Sequence, residues 1–219
     1  MKESLENKRL RAKEIALKLN AVLPDPDTEL KYWGDPFKLV IAVALSAQTT
    51  DVSVNKVTPL LWEKYPKPKD LANANVEDVE QILRSIGFYQ NKAKNSINCA
   101  KMVVEVFDNQ VPDNMEDLQK LPGVGRKTAN IVLNVAFNKV EGIAVDTHVF
   151  RISHRLGLSD AKTPAATEPD LLNVFEQNDW KNINHQLVLF GRRRCTARNP
   201  KCYGCPLQKL CPSYDLFTS

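Results

Sequence analysis

Four cysteines near the C-terminus constrain the fold of this chain more than any other feature of its sequence. They follow the spacing C-x6-C-x2-C-x5-C and are Cys195, Cys202, Cys205 and Cys211. The tail that contains them is basic and has few apolar residues, so it cannot fold by burying a core of its own. Four thiolates that converge on one point repel each other unless a cation neutralises them, and metal binding then contributes folding free energy. The tail is therefore predicted to fold around a metal centre.

The spacing of these cysteines distinguishes between the metals that such a tail could bind. Zinc sites usually contain paired CxxC motifs, and only Cys202 and Cys205 are spaced in that way. We therefore predict a 4Fe-4S cluster in preference to a zinc ion, with four unrelated buried thiols as the remaining alternative. The fifth cysteine, Cys99, lies in a helix-forming segment, where we expect it to be a small buried apolar residue.

The apolar residues of this 219-residue chain recur at three- and four-residue spacing through most of its length. One such set is Val79, Ile82, Leu83 and Ile86. This spacing is typical of helices, and the alternation that marks strands is scarce. Short turn signals divide the chain into about ten helices. The pattern predicts an all-α protein, with PFKLVIAVALSA, residues 36–47, as a central buried helix because it is apolar on nearly every face.

The charge distribution is compatible with a polyanionic partner. The formal net charge is +4, and basic residues concentrate near the C-terminus, at Arg192, Arg193, Arg194, Arg198 and Lys201. A merely soluble surface explains this charge about as well. The N-terminal segment lacks the apolar core of a secretory signal, and no apolar run approaches membrane-spanning length. We expect a cytoplasmic monomer with no membrane partner.

The segment Leu121–Ala129, LPGVGRKTA, is predicted to form a turn between two helices. Pro122, Gly123 and Gly125 permit a tight turn whose backbone N–H groups point outward. Together with the positive end of the following helix, these donors form a seat for a phosphate. The spacing matches neither a Walker A loop nor the Rossmann fingerprint. An ordinary helix hairpin without a ligand is the alternative.

Lys127 and Asp146 are the candidate reactive residues. Lys127 lies on a narrow polar stripe of a helix predicted from Arg126 to about Phe137. We expect partial desolvation to make its amine a usable nucleophile, and neutralisation of a phosphate is the alternative role. Asp146 follows an apolar triplet at an N-cap position, where backbone N–H groups would fix the direction of its carboxylate. Because capping is the commonest task of such an aspartate, a catalytic role depends on its pairing with Lys127.

The motifs LPGVGRKTAN, IAVDTHVFR and LSAQTTDVSVNK and the cysteine tail together resemble the endonuclease III family, in the helix-hairpin-helix DNA glycosylase superfamily. The resemblance extends from about Thr28 to Cys211 and implies a two-lobed all-α fold. The implied parts are a six-helix barrel domain at 29–141 with a helix-hairpin-helix at 115–137, and an iron–sulfur cluster domain at 1–28 and 142–219 with a cluster loop at 195–211. Duplex DNA would lie between the lobes with the target nucleotide flipped out of the stack.

The resemblance implies a bifunctional DNA glycosylase and abasic-site lyase of base-excision repair that removes oxidised pyrimidines. Lys127 would attack C1′ of the deoxyribose, expel the base and leave a Schiff base. Asp146 would activate the amine or stabilise the positive charge that develops on the sugar. β-Elimination would then cleave the strand 3′ to the abasic site. The expected partner is double-stranded DNA that contains damaged pyrimidines or abasic sites, which implies association with the nucleoid.

The resemblance also implies a set of DNA-contacting residues. Gln48 would fill the gap left by the flipped base, and Phe88 takes the position where a leucine wedge is usual, with core packing as its alternative. His148 would line the base pocket. The other expected contacts, which bind the DNA without reading its sequence, are Gly123, Gly125, Arg126, Arg151 and Arg192.

Two other functions share parts of this pattern. An adenine-specific mismatch DNA glycosylase of the same superfamily usually lacks the lysine, and it carries glutamate where this chain has Val43. A non-catalytic DNA-binding or redox-sensing iron–sulfur protein would use the hairpin and the cluster alone. The presence of both Lys127 and Asp146 argues against this second alternative, because neither binding nor electron transfer needs that pair.

Overall fold

The structure is a computed structural model that describes residues 3–24 and 26–218. The parts of the predicted domains at residues 1, 2, 25 and 219 lie outside the described residues. The described residues form α-helices and two short 3-10 helices and contain no strand, which confirms the all-α prediction. Among them, no helix combines the length and the apolar character needed to cross a membrane.

The helices are numbered in chain order. Their bounds are α1 Leu5–Val22, α2 Pro36–Leu45, α3 Asp51–Lys64, α4 Pro68–Ala72, α5 Val76–Leu83, α6 Tyr89–Glu105, α7 Met115–Leu118, α8 Arg126–Phe137, α9 Thr147–Arg155, α10 Pro164–Val174 and α11 Gln177–Arg193, and the 3-10 helices are Gln208–Leu210 and Asp215–Phe217.

The chain divides into two compact units, each with its own apolar core. The hairpin unit is the continuous segment Thr28–Glu141 and contains α2 to α8. The cysteine unit combines the chain up to Asp27 with the chain from Gly142 onward, and it contains α1 and α9 to α11.

Helix α2 is the central element of the hairpin unit, as its continuous apolar sequence predicts. Seven of its ten residues are buried: Phe37, Leu39, Val40, Ile41, Ala42, Val43 and Leu45. The helix begins where Asp35 accepts hydrogen bonds from the backbone N–H groups of Phe37 and Lys38, with Pro36 at the first helical position. Helices α3, α6 and α8 pack against it. Apolar residues on every face require such neighbours on every side.

Helix α8 has the bounds that the sequence predicts. It begins at Arg126, directly after Gly125, and ends at Phe137 because Asn138 adopts the left-handed conformation with φ +54°. Its buried residues include Val132 and Leu133, which anchor it in the core of the hairpin unit. The buried body of α8 therefore fixes the position of its first turn, and the residues of that turn remain accessible.

In the cysteine unit, α1 packs against α10 and α11, and α9 packs against the same two helices. The half-buried Arg11 on α1 forms an ion pair with Glu3 at 2.6 Å and donates a hydrogen bond to the carbonyl of Leu210 at 3.1 Å. The hydrogen bond from Arg11 is the main cause that lowers the pKa of Glu3. Through Arg11, α1 is thus bound to the cysteine tail.

The burial of α8 predicts a large difference between two identical substitutions in the hairpin unit. Leu133 is fully buried, whereas Leu60 on α3 is 54% exposed. We expect Leu133→Ala to lower the free energy of unfolding by about 2–5 kcal/mol because it leaves a cavity. Leu60→Ala should change it by no more than about 0.5 kcal/mol. Equilibrium denaturation in urea measures both, and equal effects would contradict the assigned burial.

Candidate functional site

A pocket in the hairpin unit is formed by the end of α2, the start of α6 and the turn before α8. Three of the predicted DNA contacts, Gln48, Phe88 and Gly123, line this pocket. Asn91, Lys92 and Asn95 of α6 contribute polar side chains to it. The structure therefore brings together residues from three separate segments of the sequence.

Gln48 and Phe88 share an unusual backbone conformation. Their φ angles are +53° and +58°, in the left-handed region that side chains other than glycine seldom adopt. Such strain persists only where the surrounding structure enforces it, and it is frequent at functional sites. Phe88 is 64% exposed, so the alternative that it packs in the core is wrong. Both side chains are available to a ligand.

The turn before α8 has the geometry that its glycines predict. Gly123 has φ +82°, and a Cβ atom at this position would lie 3.3 Å from Cβ of Asn95, so both the conformation and the close approach favour glycine. Gly125 is the N-cap of α8. Arg126 and Lys127 form the first turn and are exposed, and this turn contains no acidic residue. The positive end of the helix is thus combined with two basic side chains.

The exposure of Lys127 corrects one expectation. The sequence pattern predicted a partly desolvated amine in a polar groove, and that prediction is wrong because Lys127 is an exposed residue. The reason is its place in the first turn of α8, next to the turn, whereas burial of the helix begins at Ala129. The side chain of Lys127 is therefore exposed at the start of the helix.

Asp146 is the N-cap of α9, as predicted. Its Oδ1 accepts hydrogen bonds from the backbone N–H groups of His148 and Val149, both at 2.8 Å. Asp146 is half-buried. These two bonds fix the carboxylate relative to the helix. Because Lys127 belongs to the hairpin unit and Asp146 to the cysteine unit, their pairing stays a prediction.

His148 and Arg151 lie in one contact network on α9. Nη2 of Arg151 is 3.2 Å from Nδ1 of His148, and it donates to the carbonyls of Gly191 at 3.0 Å and Cys195 at 2.9 Å. Burial is the main cause that lowers the pKa of His148, and the charges of Arg151 and Arg192 act in the same direction while that of Asp146 opposes them. These internal bonds engage the guanidinium of Arg151, and its contact with DNA stays a prediction.

The close approach of α11 to α9 depends on Gly191. A Cβ atom there would lie 3.0 Å from Nη2 of Arg151 and 3.0 Å from Cβ of His148, closer than real Cβ contacts normally come. Any larger residue would push these two side chains away. Gly191 therefore allows the network on α9 to form.

The four tail cysteines line a single pocket of the cysteine unit. Apolar side chains of Ile152, Leu156 and Leu207 complete its wall. No three His, Cys, Asp or Glu residues of the described chain are grouped closely enough to hold one metal ion. A tetrahedral zinc ion needs sulfur atoms about 3.8 Å apart, given a Zn–S bond of about 2.3 Å. An iron–sulfur cluster is bound by four thiolates, each on a different iron atom, and the four cysteines with the apolar wall of this pocket are a donor set that fits such a cluster.

The cysteine sulfurs influence each other. Burial raises the pKa of Cys202 and of Cys211, and the neighbouring tail cysteines raise both further. For Cys211, a backbone N–H bond from Ser213 acts in the opposite direction. The mutual effect agrees with the expectation that four thiolates need a compensating cation. By contrast, burial alone raises the pKa of Cys99 to about 12, as expected for a buried thiol in the core.

Two residues at these sites were missed by the sequence analysis. Arg155 donates to the carbonyls of Thr196 at 2.7 Å and Ala197 at 2.8 Å, and its Nη1 lies 3.3 Å from Sγ of Cys195. Its position four residues after Arg151, on the same face of α9, is the signal that could have found it. The second residue, Lys92, is buried in α6.

Two protein-family models match this chain. Residues 41–177 match the family described as HhH-GPD superfamily base excision DNA repair protein, and residues 195–211 match the iron-sulfur binding domain of endonuclease III. The second match spans the four tail cysteines.

Similar proteins match over nearly the whole chain. Endonuclease III of Synechocystis sp. is 46% identical over 95% of this chain and 95% of its own, and that of Bacillus subtilis is 46% identical over 89% and 88%. The structure of a trapped endonuclease III–DNA covalent intermediate superposes with a TM-score of 0.91 at 41% identity, covering 96% of this chain and 99% of the other.

The cysteine pocket predicts opposite results for two cysteine variants. Cys202→Ser should remove much of the bound iron and of the visible absorbance, because a serine oxygen is a poor substitute for a soft thiolate ligand. Cys99→Ala is the matched control, since Cys99 is buried in the core of the hairpin unit and should leave the iron content unchanged. Iron and sulfide analysis of the purified proteins measures both. Full iron content in Cys202→Ser would show that the tail does not bind the cluster in this way.

Proposed function

Because the chain belongs to the endonuclease III family of HhH-GPD base excision DNA repair proteins, we propose that Lys127 and Asp146 are the catalytic pair of its DNA glycosylase and abasic-site lyase activity. The protein binds DNA and carries a 4Fe-4S cluster. The observation that carries the proposal is the exposed amine of Lys127 in the first turn of α8, directly after the glycine turn.

The amine of Lys127 acts as the nucleophile. Its neutral form attacks C1′ of the damaged nucleotide, so that a C1′–N bond forms, the bond from C1′ to the base breaks, and the base leaves with a proton. The attached nitrogen then loses a proton, and the C1′–O4′ bond breaks as O4′ takes up a proton, which opens the sugar ring and gives an iminium. This iminium loses a proton from C2′, and the electrons of that C–H bond form the C2′–C3′ double bond and expel the 3′ phosphate. An endonuclease III of similar structure has been trapped as a covalent intermediate with DNA, which supports a covalent step here.

The turn before α8 and the first turn of this helix place the DNA backbone near Lys127. The backbone N–H groups around Gly123 and Gly125 donate to a phosphate, and the positive end of α8 favours the same anion. Arg126 adds a positive charge one residue before the nucleophile. These interactions depend on phosphate alone and therefore bind DNA of any sequence.

Asp146 stabilises the positive charge that develops on the sugar as the base departs. Both capping hydrogen bonds go to its Oδ1, so Oδ2 takes no part in the cap. A carboxylate whose direction is already fixed needs little reorganisation during the reaction, and such preorganised charges contribute strongly to catalysis. His148, two residues further on, lines the base pocket.

Cys195, Cys202, Cys205 and Cys211 hold the 4Fe-4S cluster. When bound, the cluster supplies iron charge that offsets the four thiolates and cross-links a tail with little core. Arg155 fixes the start of the tail through Thr196 and Ala197, and its guanidinium stacks on Phe217 at 4.4 Å. Arg192, in the last turn of α11, contributes to the basic surface that contacts the DNA backbone.

The substrate is double-stranded DNA with oxidised pyrimidines or abasic sites. Gln48 and Phe88 are exposed residues that line the same pocket. Both side chains enter the duplex, where Gln48 fills the gap left by the flipped base and the ring of Phe88 stacks on neighbouring bases. We further propose that the protein acts as a monomer in the cytoplasm, in association with the nucleoid.

Replacement of the nucleophile tests the covalent step. Lys127→Ala should abolish the adduct that borohydride traps on DNA with an abasic site, while duplex binding is retained. Lys139→Ala is the control, because Lys139 follows the end of the same helix and its exposed ion pair with Asp113 contributes little to stability. The control should form the adduct at the wild-type rate.

The same assay separates the alternative functions. Binding of the wild-type protein without adduct or strand cleavage would favour a non-catalytic DNA-binding protein. Release of adenine from a mispair without efficient cleavage would favour an adenine-specific mismatch glycosylase.

A charge-removing substitution tests Asp146 apart from its role as a helix cap. Asn is as good an N-cap as Asp, so Asp146→Asn should retain the stability of α9 and change the free energy of unfolding by less than about 1 kcal/mol. Loss of the negative charge should nevertheless slow single-turnover base release by about 100-fold or more. Asp146→Ala, which loses the cap as well, should lower both quantities. A near-normal rate in Asp146→Asn would assign Asp146 to capping alone.

A further inference from the structure

Lys92 is a buried lysine for which the proposed chemistry has no use. It is 9% exposed, and its Nζ donates a hydrogen bond to Oγ1 of Thr49 at 2.6 Å. Burial lowers the pKa of this amine, because the charged form loses its hydration when it is removed from water. A lysine placed on the buried face of a helix, together with Ser96 and Val103, needs a specific reason to be there.

The partner of Lys92 lies in the strained turn between α2 and α3. Gln48 has φ +53°, and Thr49 is the next residue. The backbone of this turn is closed by a hydrogen bond from N–H of Thr49 to the carbonyl of Ser46 at 3.0 Å. After it, Thr50 caps α3 by accepting from N–H of Ser53. The bond from Lys92 is thus a side-chain attachment of this turn to another helix, directly beside Gln48.

The backbone of Lys92 is attached to the second strained residue. Phe88, with φ +58°, is the N-cap of α6, and its carbonyl accepts a hydrogen bond from N–H of Lys92 at 3.0 Å. One residue therefore bonds to Phe88 through its main chain and to the Gln48 turn through its side chain. Gln48, Phe88 and Lys92 all line the same pocket.

We propose that Lys92 is a positioning residue that holds the Gln48 turn at a fixed distance from Phe88, so that both side chains enter the duplex together. This inference rests on the proposed DNA-inserting roles of Gln48 and Phe88. The positioning role applies to duplex substrates only. In a single strand there is no opposite base, so a flipped nucleotide leaves no gap for Gln48 to fill. Lys92 does not touch the reacting sugar, and the chemistry at Lys127 should proceed without it.

The test uses the full chain with its cluster and compares two substrates. Lys92→Met keeps the length and apolar packing of the side chain but removes the bond, and Thr49→Val removes it from the other end. Each should slow single-turnover base release from a duplex with an oxidised pyrimidine by about tenfold, as expected for loss of one hydrogen bond to a charged group. Cleavage of a single-stranded oligonucleotide with an abasic site should change by less than about twofold.

Three further variants make the result specific. The double variant Lys92→Met with Thr49→Val should be no slower than either single variant, because both remove the same bond. Thr49→Ser keeps the hydroxyl and should restore the duplex rate. Lys94→Met is the matched control, since Lys94 is an exposed lysine on the same helix and the substitution removes the same charge. It should leave both rates unchanged.

The outcomes separate this inference from the proposal on which it rests. Gln48→Ala is measured beside the other variants. Suppose that Gln48→Ala slows the duplex reaction while Lys92→Met and Thr49→Val react at the same rate as the control Lys94→Met. The positioning role of Lys92 is then wrong, and the gap-filling role of Gln48 stands. If Gln48→Ala has no effect on duplex DNA, both are wrong. Equal slowing on duplex and single strand would also overturn the positioning role, and Thr49→Val decides the question if Lys92→Met does not fold.

Discussion

The unpaired N–H groups at helix starts are the constraint on which the functional residues of this protein depend. Every α-helix leaves its first N–H groups without partners inside the helix. The capping carboxylate of Asp146 satisfies two of them at α9, whereas α8 begins after Gly125 and has no acidic side chain in its first turn. The start of α9 thus fixes the carboxylate of Asp146, whereas the start of α8 presents N–H donors to an anion from outside the helix. Both proposed catalytic residues lie at these two positions.

Burial of the helix bodies makes such starts rigid. The inner face of α8 is anchored by Val132 and Leu133 in the core of the hairpin unit, and that of α9 by Val149 and Ile152 in the core of the cysteine unit. A residue in the first turn can therefore be exposed and still have a fixed position. Lys127 needs this combination, because a nucleophile must reach its substrate without the entropy loss of ordering a mobile segment.

Sequence patterns predicted those features that depend on one segment alone. The bounds of α8, the buried α2 and the cap at Asp146 follow from local periodicity and from capping chemistry. Exposure of Lys127 and burial of Lys92 were not predictable in this way, because neighbouring segments decide which part of a helix they cover. A lysine among apolar residues on a helix is usually interpreted as a side chain whose charged end reaches water. The structure instead shows Lys92 bonded to a turn that precedes it by more than forty residues, at Thr49.

Helix α9 shows how one element serves two sites of the cysteine unit. Asp146 caps its start, and Arg151 and Arg155, one turn apart on the same face, bond to the backbone and the sulfur of Cys195. The tail has too little apolar surface to keep this geometry by itself, so the arginines and the cluster must supply the ordering that a core would otherwise provide. Gly191 lets α11 approach the same face closely, and its carbonyl accepts a hydrogen bond from Arg151 at 3.0 Å. The position of the proposed catalytic carboxylate is therefore determined by the packing that also orders the first cysteine.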